Sequence, residues 1–437
     1  MRSLWHSQTQ LPNFPELSGN KNTDVLIIGG GIAGIITAYL LQQSGVDCIL
    51  VEKDRLCSGT TGNTTAKITY QHGLIYQDIL RSYGIKKAQH YLLANKAAFD
   101  MYSALCKKID CNFEHKDNYV YTFRDKKKLK DEIYALGKIG FDAKLCDSLP
   151  LPFNNAGAVR FPGQAQFSAL KFLSHIVSGL GIYENTHVRE MIGSTAITDR
   201  GRIRANKVVV TTHFPFINKH GCYFLKLYQH RSYVIALENA RELNGMYVGA
   251  SLTSISFRNY NGFLLIGGAG HRTGYPDGGW EKLRRFAKHY CPESTVRYMW
   301  AAQDCMSLDG IPYIGHYSPN TPDMYVATGF NKWGMTGSMA AAMILCDMIT
   351  GTKNEYADVF DPSRSVLKPQ LFENFFESTK HILIPKQPRC PHLGCALEWN
   401  KNEHSWDCPC HGSRFSKSGR LLDDPANGDL KDRGLHL

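Results

Sequence analysis

The chain has 437 residues, 43% of them hydrophobic, which is enough for two or three domains with large cores, so its size requires no disulfide framework. Its net charge of +11 is not gathered in a basic stripe, because the densest basic run, 124–130, is followed by two acidic residues and is typical of a solvated helix face; we expect no nucleic-acid partner. The amino terminus lacks an apolar leader and no apolar run approaches the roughly 20 residues of a spanning helix, so we expect a cytoplasmic protein without membrane insertion.

The first elements form a predicted β-α-β unit. Residues 24–28 are an apolar run that ends at three glycines, residues 32–45 have helical periodicity, and a second apolar run ends at Glu52. The glycines of the pattern G-x-G-x-x-G are Gly29, Gly31 and Gly34. Their missing Cβ atoms permit a tight turn and close approach of a diphosphate to the helix N-terminus, while Glu52 stands where a carboxylate accepts hydrogen bonds from a ribose. The unit predicts a dinucleotide site for FAD or NAD.

The rest of the body alternates between helical and β-rich segments, which indicates that the nucleotide-binding fold is interrupted by a second unit. In chain order we predict helices with one inserted strand over 85–140, short strands over 182–215, further strands over 223–266, a helix near 280–300, and a strand and long helix over 323–351. The glycine cluster 267–270 is predicted to be a strand end and turn, because no helix follows it that would make a second nucleotide site.

The cysteines are distributed unevenly. Of 13 cysteines, nine are scattered singly and four lie between residues 390 and 410. The tail contains C-x-H and, fifteen residues later, C-x-x-H, and these positions are Cys390, His392, Cys408 and His411. A Rieske [2Fe-2S] cluster needs two thiolates and two imidazoles as ligands. Two loops that each supply one Cys and one His meet that need. Zinc is the alternative, but zinc fingers usually pair Cys with Cys and His with His.

Three further segments carry a family resemblance. Residues 59–67, the stretch DGIPYIG at 309–315, and VATGFNKWGMTGS at 326–338 resemble the D-amino-acid oxidase and glycine oxidase superfamily of FAD enzymes. The resemblance implies that the dinucleotide is FAD. It also implies that segment 59–67 lines the flavin, that Val188 contacts the adenine through its backbone, and that the late helix begins beside the flavin. The residues so implicated are Thr60, Asn63, Val188, Gly334, Met335 and Thr336.

Body and tail together resemble bacterial FAD-dependent oxidoreductases with a C-terminal Rieske domain. This resemblance implies a disulfide between Cys395 and Cys410, and it places Ser413 where a hydroxyl bonds a bridging sulfide. Phe415 stands where high-potential members have a tyrosine, which favours a lower potential. A complete Rieske domain has several strands that form a base before its first ligand loop. Only about 38 residues separate Gly351 from the first ligand here, so the base is shortened or absent and we expect the tail to pack on the body.

The predicted fold is α/β, with a Rossmann-like FAD-binding domain interrupted by an α+β substrate domain with a β-rich sheet, and a small C-terminal β-type Rieske subdomain. The predicted boundaries are 1–80, 155–215 and 305–351 for the FAD-binding domain, 81–154 and 216–304 for the substrate domain, 352–388 for a linker and 389–437 for the Rieske subdomain.

The resemblance implies an amine or amino-acid dehydrogenase that passes electrons from FAD through the cluster to an unknown external acceptor. A reductase fed through the cluster and a non-enzymatic electron-transfer or redox-sensing flavoprotein remain alternatives. Candidates for substrate or flavin chemistry are Lys67, Arg231 and Arg272, the two arginines as holders of a substrate carboxylate. The histidines His72, His230 and His271 are open between a functional role and simple hydrogen bonding.

Overall fold

The computed structural model describes residues 2–275, 278–365, 371, 372, 374, 380, 381 and 388–430. The helices are α1 (Leu4–Gln8), α2 (Ile32–Gln43), α3 (Tyr76–Cys106), α4 (Lys126–Lys138), α5 (Ala169–Ile176), α6 (Tyr223–Lys226), α7 (Trp280–Tyr290), α8 (Gly334–Thr350) and α9 (Ala357–Phe360), with a 3-10 turn at Thr60–Asn63. The strands of the body are β1 (Lys21–Ile28), β2 (Cys48–Val51), β3 (Lys67–Ile68), β4 (Glu114–Tyr121), β5 (Lys144–Cys146), β6 (Ala158–Gln166), β7 (Gly181–Tyr183), β8 (Val188–Ile192), β9 (Thr195–Thr198), β10 (Arg202–Val210), β11 (Leu227–Glu238), β12 (Met246–Gly249), β13 (Ser256–Tyr260), β14 (Phe263–Arg272), β15 (Thr295–Ser307), β16 (Tyr313–His316) and β17 (Met324–Thr328). The strands of the tail are β18 (Glu398–Asn400), β19 (Ser405–Asp407), β20 (Arg414–Ser416) and β21 (Leu421–Asp423).

The first sheet has the order β16-β17-β10-β1-β2-β7, and the hairpin β8–β9 joins it at β10. Its central pairings are parallel, and β2 is buried along its whole length, as expected for strands that helices cover. Helices α2 and α8 pack against each other beside this sheet. The predicted α/β class is confirmed.

The second sheet has the order β15-β11-β14-β13-β12-β4-β6-β3, with β5 paired to β6. It differs from the prediction at two places. The helix expected near 280–300 ends at Tyr290, because residues from Thr295 onward pair with β11 in a long antiparallel ladder. The glycines at 267–270 lie inside β14 rather than at a strand end, since β11 pairs with β14 on both sides of them and β13 pairs with Gly267.

Sheet membership also departs from the predicted boundaries. Strands β3 and β6 lie in the second sheet, although the sequence placed residues 1–80 and 155–215 in the FAD-binding domain. Strand β6 pairs with β4 over most of its length, a partnership that the hydrophobic period of one strand cannot reveal. The domain boundaries themselves stay a prediction.

The tail contains a four-stranded antiparallel sheet in the order β18-β19-β20-β21. Much of the predicted linker 352–388 and the last seven residues of the predicted Rieske subdomain lie outside the described residues. In the part of the chain that the structure describes, no helix combines the length and apolar character needed to cross a membrane.

Candidate functional site

The turn after β1 is fitted to glycine. Gly29 has φ +113°, and a Cβ atom there would lie 2.6 Å from the carbonyl oxygen of Thr211. A Cβ atom on Gly34 would lie 2.0 Å from the carbonyl oxygen of Gly29, so α2 packs on the turn only because Gly34 has no side chain. Gly31 precedes α2 as its N-cap, which directs the first helix amides toward the turn. This geometry fits a bound diphosphate.

Glu52 closes the turn from the second strand. Its Oε2 atom accepts a hydrogen bond from the Gly30 amide at 2.6 Å, and its Oε1 atom accepts one from the Asp54 amide at 3.0 Å. Burial raises the pKa of this carboxyl, and the two amides act in the opposite direction. The side chain also lines the adjoining cavity, so the carboxylate both fixes the turn and faces the space where a ribose would bind.

That cavity has a volume of about 1130 Å³, and it runs from the glycine turn to the second sheet. It is large enough for an extended dinucleotide beside a small molecule, because pockets for drug-sized ligands are typically about 300–1,000 Å³. The predicted cofactor and substrate residues that line it are Gly29, Gly31, Glu52, Thr60, Asn63, Lys67, Val188, Gly334 and Met335.

Thr336 is a different case. Its hydroxyl donates to the Thr69 carbonyl at 2.9 Å and lies 2.9 Å from Nε2 of His72, away from the cavity lining. His72 does line the cavity and stacks on Trp333 at 5.2 Å, and burial lowers its pKa to about 3. Thr336 therefore orients His72 and the start of α8, and its predicted part in the FAD site stays a prediction.

Four lysines line the cavity, and Lys67 and Lys332 are two of them. Lys67 lies 3.2 Å from the Thr65 hydroxyl and 3.5 Å from the Ser256 hydroxyl, and burial, assisted by the nearby Arg258 charge, lowers its pKa to about 7. Sequence reasoning missed Lys332, which lines the same cavity and donates to the Leu252 carbonyl at 3.2 Å. Burial lowers the pKa of Lys332, and Asp304 opposes that shift. The only signal for Lys332 was its place just before the late helix.

The four predicted cluster ligands lie on two loops of the tail. Cys390 follows the isolated bridge between Arg389 and Ala396, and Cys408 follows β19. The Cys390 thiol contacts the Cys408 thiol, and the sulfurs of Cys395, Cys408 and Cys410 lie within 4.8 Å of one another. All are buried free thiols. The implied Cys395–Cys410 disulfide stays a prediction, although these two thiols are in contact.

The imidazoles complete this set. The ring centres of His392 and His411 are 4.9 Å apart, and burial lowers their pKa values to about 3 and about 4. Nδ1 of His392 and both ring nitrogens of His411 are buried without a hydrogen-bond partner. Two neutral imidazoles with free nitrogens beside paired thiols fit a cluster with mixed ligands.

Sequence comparisons match the body and the tail of the chain to two known families. The family described as "FAD dependent oxidoreductase" matches residues 24–348, and the Rieske [2Fe-2S] domain matches residues 373–433. The chain belongs to the FAD-dependent oxidoreductase family and carries a Rieske domain. This FAD-dependent oxidoreductase is 34% identical to a Bacillus subtilis (strain 168) protein named "Putative Rieske 2Fe-2S iron-sulfur protein YhfW", over 99% of this chain and 97% of that protein. Its FAD-binding body and [2Fe-2S]-binding tail are thereby established.

Solved structures resemble the oxidoreductase body. The glycine oxidase from Geobacillus kaustophilus superposes with a TM-score of 0.67 at 18% identity, covering 79% of this chain and 100% of that chain. The L-proline dehydrogenase from P. horikoshii gives a TM-score of 0.66 at 19% identity, covering 80% and 98%. At this identity the likeness shows the fold.

The two predicted carboxylate-binding arginines of the oxidoreductase lie elsewhere. Arg231 pairs with Glu403 of the tail through Nε and Oε1 at 2.8 Å, and Arg272 donates to the Cys410 carbonyl at 3.4 Å. Neither side chain lines the cavity. The prediction that they hold a substrate carboxylate is corrected: both β11 and β14 present these side chains to the Rieske domain. His271 and His230 also lie outside the lining; His271 bonds the Tyr233 hydroxyl at 2.9 Å.

The Rieske domain packs on the oxidoreductase body with its two histidines in different surroundings. His411 is only 2% exposed and lies edge-on to Phe214 at 6.3 Å and Phe224 at 6.2 Å. His392 is half-buried, and its Nε2 atom lies 3.0 Å from Oδ1 of Asn218 on the exposed loop of the body. His411 therefore faces the body interior, and His392 lies near the surface. The predicted packing of the tail on the body is confirmed by these contacts.

Proposed function

We propose that the protein is an amine or amino-acid dehydrogenase whose electrons leave through the Rieske cluster. The observation that carries the proposal is the segment 211–214 at the end of β10. Thr211, Thr212 and His213 line the cavity. The ring of Phe214 packs edge-on against His392 and His411, with a distance of 6.3 Å between ring centres in each case. Three residues span at most about 10 Å of chain, so the two cofactor sites lie within a short distance of each other.

A second link joins the same two sites. The Thr60 hydroxyl, in the predicted flavin-lining segment, donates to the Gln303 carbonyl at 2.7 Å. The Gln303 side chain donates to the carbonyl of Gly412, next to His411, at 2.9 Å. Bound FAD supplies two-electron oxidation of a C–N bond, and the cluster takes up one electron at a time. The buried Gln303 holds the cluster loop against the wall of the FAD cavity, which keeps this arrangement fixed.

Two of the lysines that line the cavity supply the remaining chemistry. With a pKa of about 7, Lys67 is partly a free amine at neutral pH, and it can accept the proton that a substrate ammonium group must lose. Lys332, on the same cavity wall, provides a cation for a substrate carboxylate and takes the role first expected of the arginines. Its partner Asp304 lies in the same lining and keeps that charge balanced when no substrate is bound.

The test is an anaerobic titration of the purified holoprotein with a panel of amines and amino acids. We expect at least one compound to bleach the flavin absorbance, followed by reduction of the cluster seen as its paramagnetic signal. Ferricyanide added afterward should reoxidise both groups. Compounds without an amino group, at equal concentration, are the matched controls.

Two outcomes would contradict the proposal. If no compound bleaches the flavin but a chemically reduced ferredoxin does so, the protein is a reductase that receives electrons through the cluster. If a substrate bleaches the flavin and the cluster stays oxidised throughout, electrons do not leave through the tail.

A further inference from the structure

The Rieske domain forms part of the wall of the FAD cavity. The cavity that contains Gly29 and Glu52 is also lined by tail residues near the carboxyl end of the described chain. These tail residues are Arg420, Leu421, Leu422, Asp423, Asp424, Ala426 and Asn427. These residues lie within 373–433, which match the Rieske domain, and outside 24–348, which match the FAD-dependent oxidoreductase family, so this wall is an addition to the FAD-binding body. We call residues 423–427 the wall segment.

The wall segment is attached to the body beside two predicted adenosine contacts. Lys53 follows Glu52 directly, and its Nζ atom lies 2.7 Å from the Asp424 carboxylate. Arg189 follows Val188 directly, and it donates to the Asn427 carbonyl at 3.0 Å. The Asn427 side chain returns a hydrogen bond to the Arg189 carbonyl at 2.7 Å. Both anchors therefore lie at the end of the cavity that holds the ribose-binding position.

The other side of the wall segment is held by the cluster loop. The Ala426 amide donates to the hydroxyl of Ser413, two residues after His411, at 3.0 Å. The same hydroxyl contacts the Cys390 thiol. Arg414 pairs with Asp423 at 2.9 Å, and Gln229 of the body donates to the Asp424 carbonyl at 2.9 Å. The segment thus lies between the cluster ligands and the FAD cavity, and it contacts the residues that position both.

We propose that the wall segment closes the adenosine end of the FAD site, and that the assembled cluster holds the segment in place. FAD retention then depends on the Rieske domain, and loss of the cluster releases FAD although no cluster ligand touches it. The proposal concerns binding alone, and it stands whichever way electrons flow. Because such coupling is reciprocal, bound FAD also stabilises the docked tail.

The test measures FAD release from full-length holoprotein after dilution, followed by the fluorescence of free FAD. We expect Asp424→Asn and Lys53→Met each to speed release about tenfold, because each removes a charge-assisted hydrogen bond. The double variant should release FAD no faster than the single variants, since both remove one interaction. Asn427→Ala tests the second anchor without a change of charge. Lys126→Met, which breaks an exposed ion pair with Asp147, is the matched control.

A second arm tests the link to the cluster. Ser413→Ala removes the hydroxyl that holds Ala426, and Cys408→Ser removes the cluster; both should release FAD faster than wild type. Iron and labile sulfide are assayed in each sample. If Asp424→Asn, Lys53→Met and Asn427→Ala all release FAD at rates within twofold of wild type, the proposal that the wall segment closes the FAD site is overturned. Faster release in those variants, with an unchanged rate in cluster-free Cys408→Ser, would overturn the coupling to the cluster.

Discussion

The FAD-binding body and the Rieske tail are stabilised in different ways. In the body, one hydrophobic core runs from β1 and α2 through α3 to α8, and it contains dozens of buried apolar side chains. Among the described residues of the tail, the hydrophobic core contains eight buried side chains, four of which are the cysteines of the cluster region. Since domains this small rarely bury enough apolar surface to be stable, metal ligation and docking must supply the remainder.

Charged contacts of the tail show where that remainder comes from. Arg414 is buried between Asp407, Glu403 and Asp423, each within 3.0 Å. Arg231 of the body reaches into the same group and pairs with Glu403. We therefore expect the body to retain its sheets without the tail, and the tail to depend on its cluster and on the body. The following predictions test this difference.

The largest effect is expected for Cys408→Ser, which removes a thiolate ligand. Iron and labile sulfide should fall almost to zero, and delivery of electrons to a one-electron acceptor should slow by more than about 1,000-fold, while substrate still reduces the flavin as long as FAD is added in excess. Rapid mixing separates the two half-reactions. Cys146→Ser, a half-buried cysteine of β5, is the control. Wild-type turnover in the cluster-free protein would make the cluster structural.

Glu403→Gln should destabilise the tail by about 3 kcal/mol, because it leaves the buried Arg231 charge with only the longer contact to Asp423 at 3.9 Å. The measurement is loss of the visible absorption of the cluster in denaturant. Glu238→Gln, which breaks the exposed pair with Arg297, should cost less than about 1 kcal/mol. Equal effects of the two substitutions would contradict the proposed dependence of the tail on its buried ion pairs.

The same glutamate predicts a pH dependence. Burial disfavours its charge, but Arg231 and Arg414 lower the pKa of Glu403 from 4.5 to about 2. Because its pKa is lowered in the folded state, the charged Glu403 contributes its full stabilisation of the tail above pH 4.5, and this stabilisation is lost as the pH falls toward 2. Stability of the tail should therefore decline over this range more steeply in wild type than in Glu403→Gln, as measured by tryptophan fluorescence.

Lys67→Met changes the body alone and should slow reduction of the flavin by substrate about 100-fold, since a positioned base contributes at least that much. In wild type the rate should rise as the pH increases through about 7, the pKa of Lys67, because the free amine accepts the proton. The variant should lose this rise and keep its full cluster content. A wild-type pH profile in Lys67→Met would exclude Lys67 as the base. The control is Lys116→Met, because Lys116 pairs with Glu114 and does not line the cavity.

The smallest effect is expected for Glu52→Ala. It should weaken FAD binding by about 1–3 kcal/mol, because two backbone amides and the ribose lose a charged acceptor. Equilibrium titration of the apoprotein with FAD measures the change. Iron and sulfide should stay at the wild-type level, because the cluster ligands belong to the tail. Unchanged FAD affinity would refute the ribose assignment.

The sequence by itself determined the local parts of both sites. The turn at Gly29–Gly34 is predictable because only glycine fits its close contacts, and Glu52 is predictable because it ends the strand beside that turn. The two loops that carry the predicted cluster ligands could be named because a Rieske cluster requires Cys and His at fixed spacing, and the ligand assignment itself stays a prediction. Each of these features depends on residues that are near one another in the chain.

Only the tertiary structure decided how the two sites relate. Arg231 and Arg272 resembled substrate ligands in sequence, but strand pairing carries them to the tail, and the cavity receives Lys332 instead. Thr336 lies at the predicted helix start, yet helical rotation directs its hydroxyl to His72. The wall at Asp424 joins residues 371 positions apart. Such pairings depend on the packing of distant segments, which the hydrophobic period and motif spacing of a single sequence do not encode.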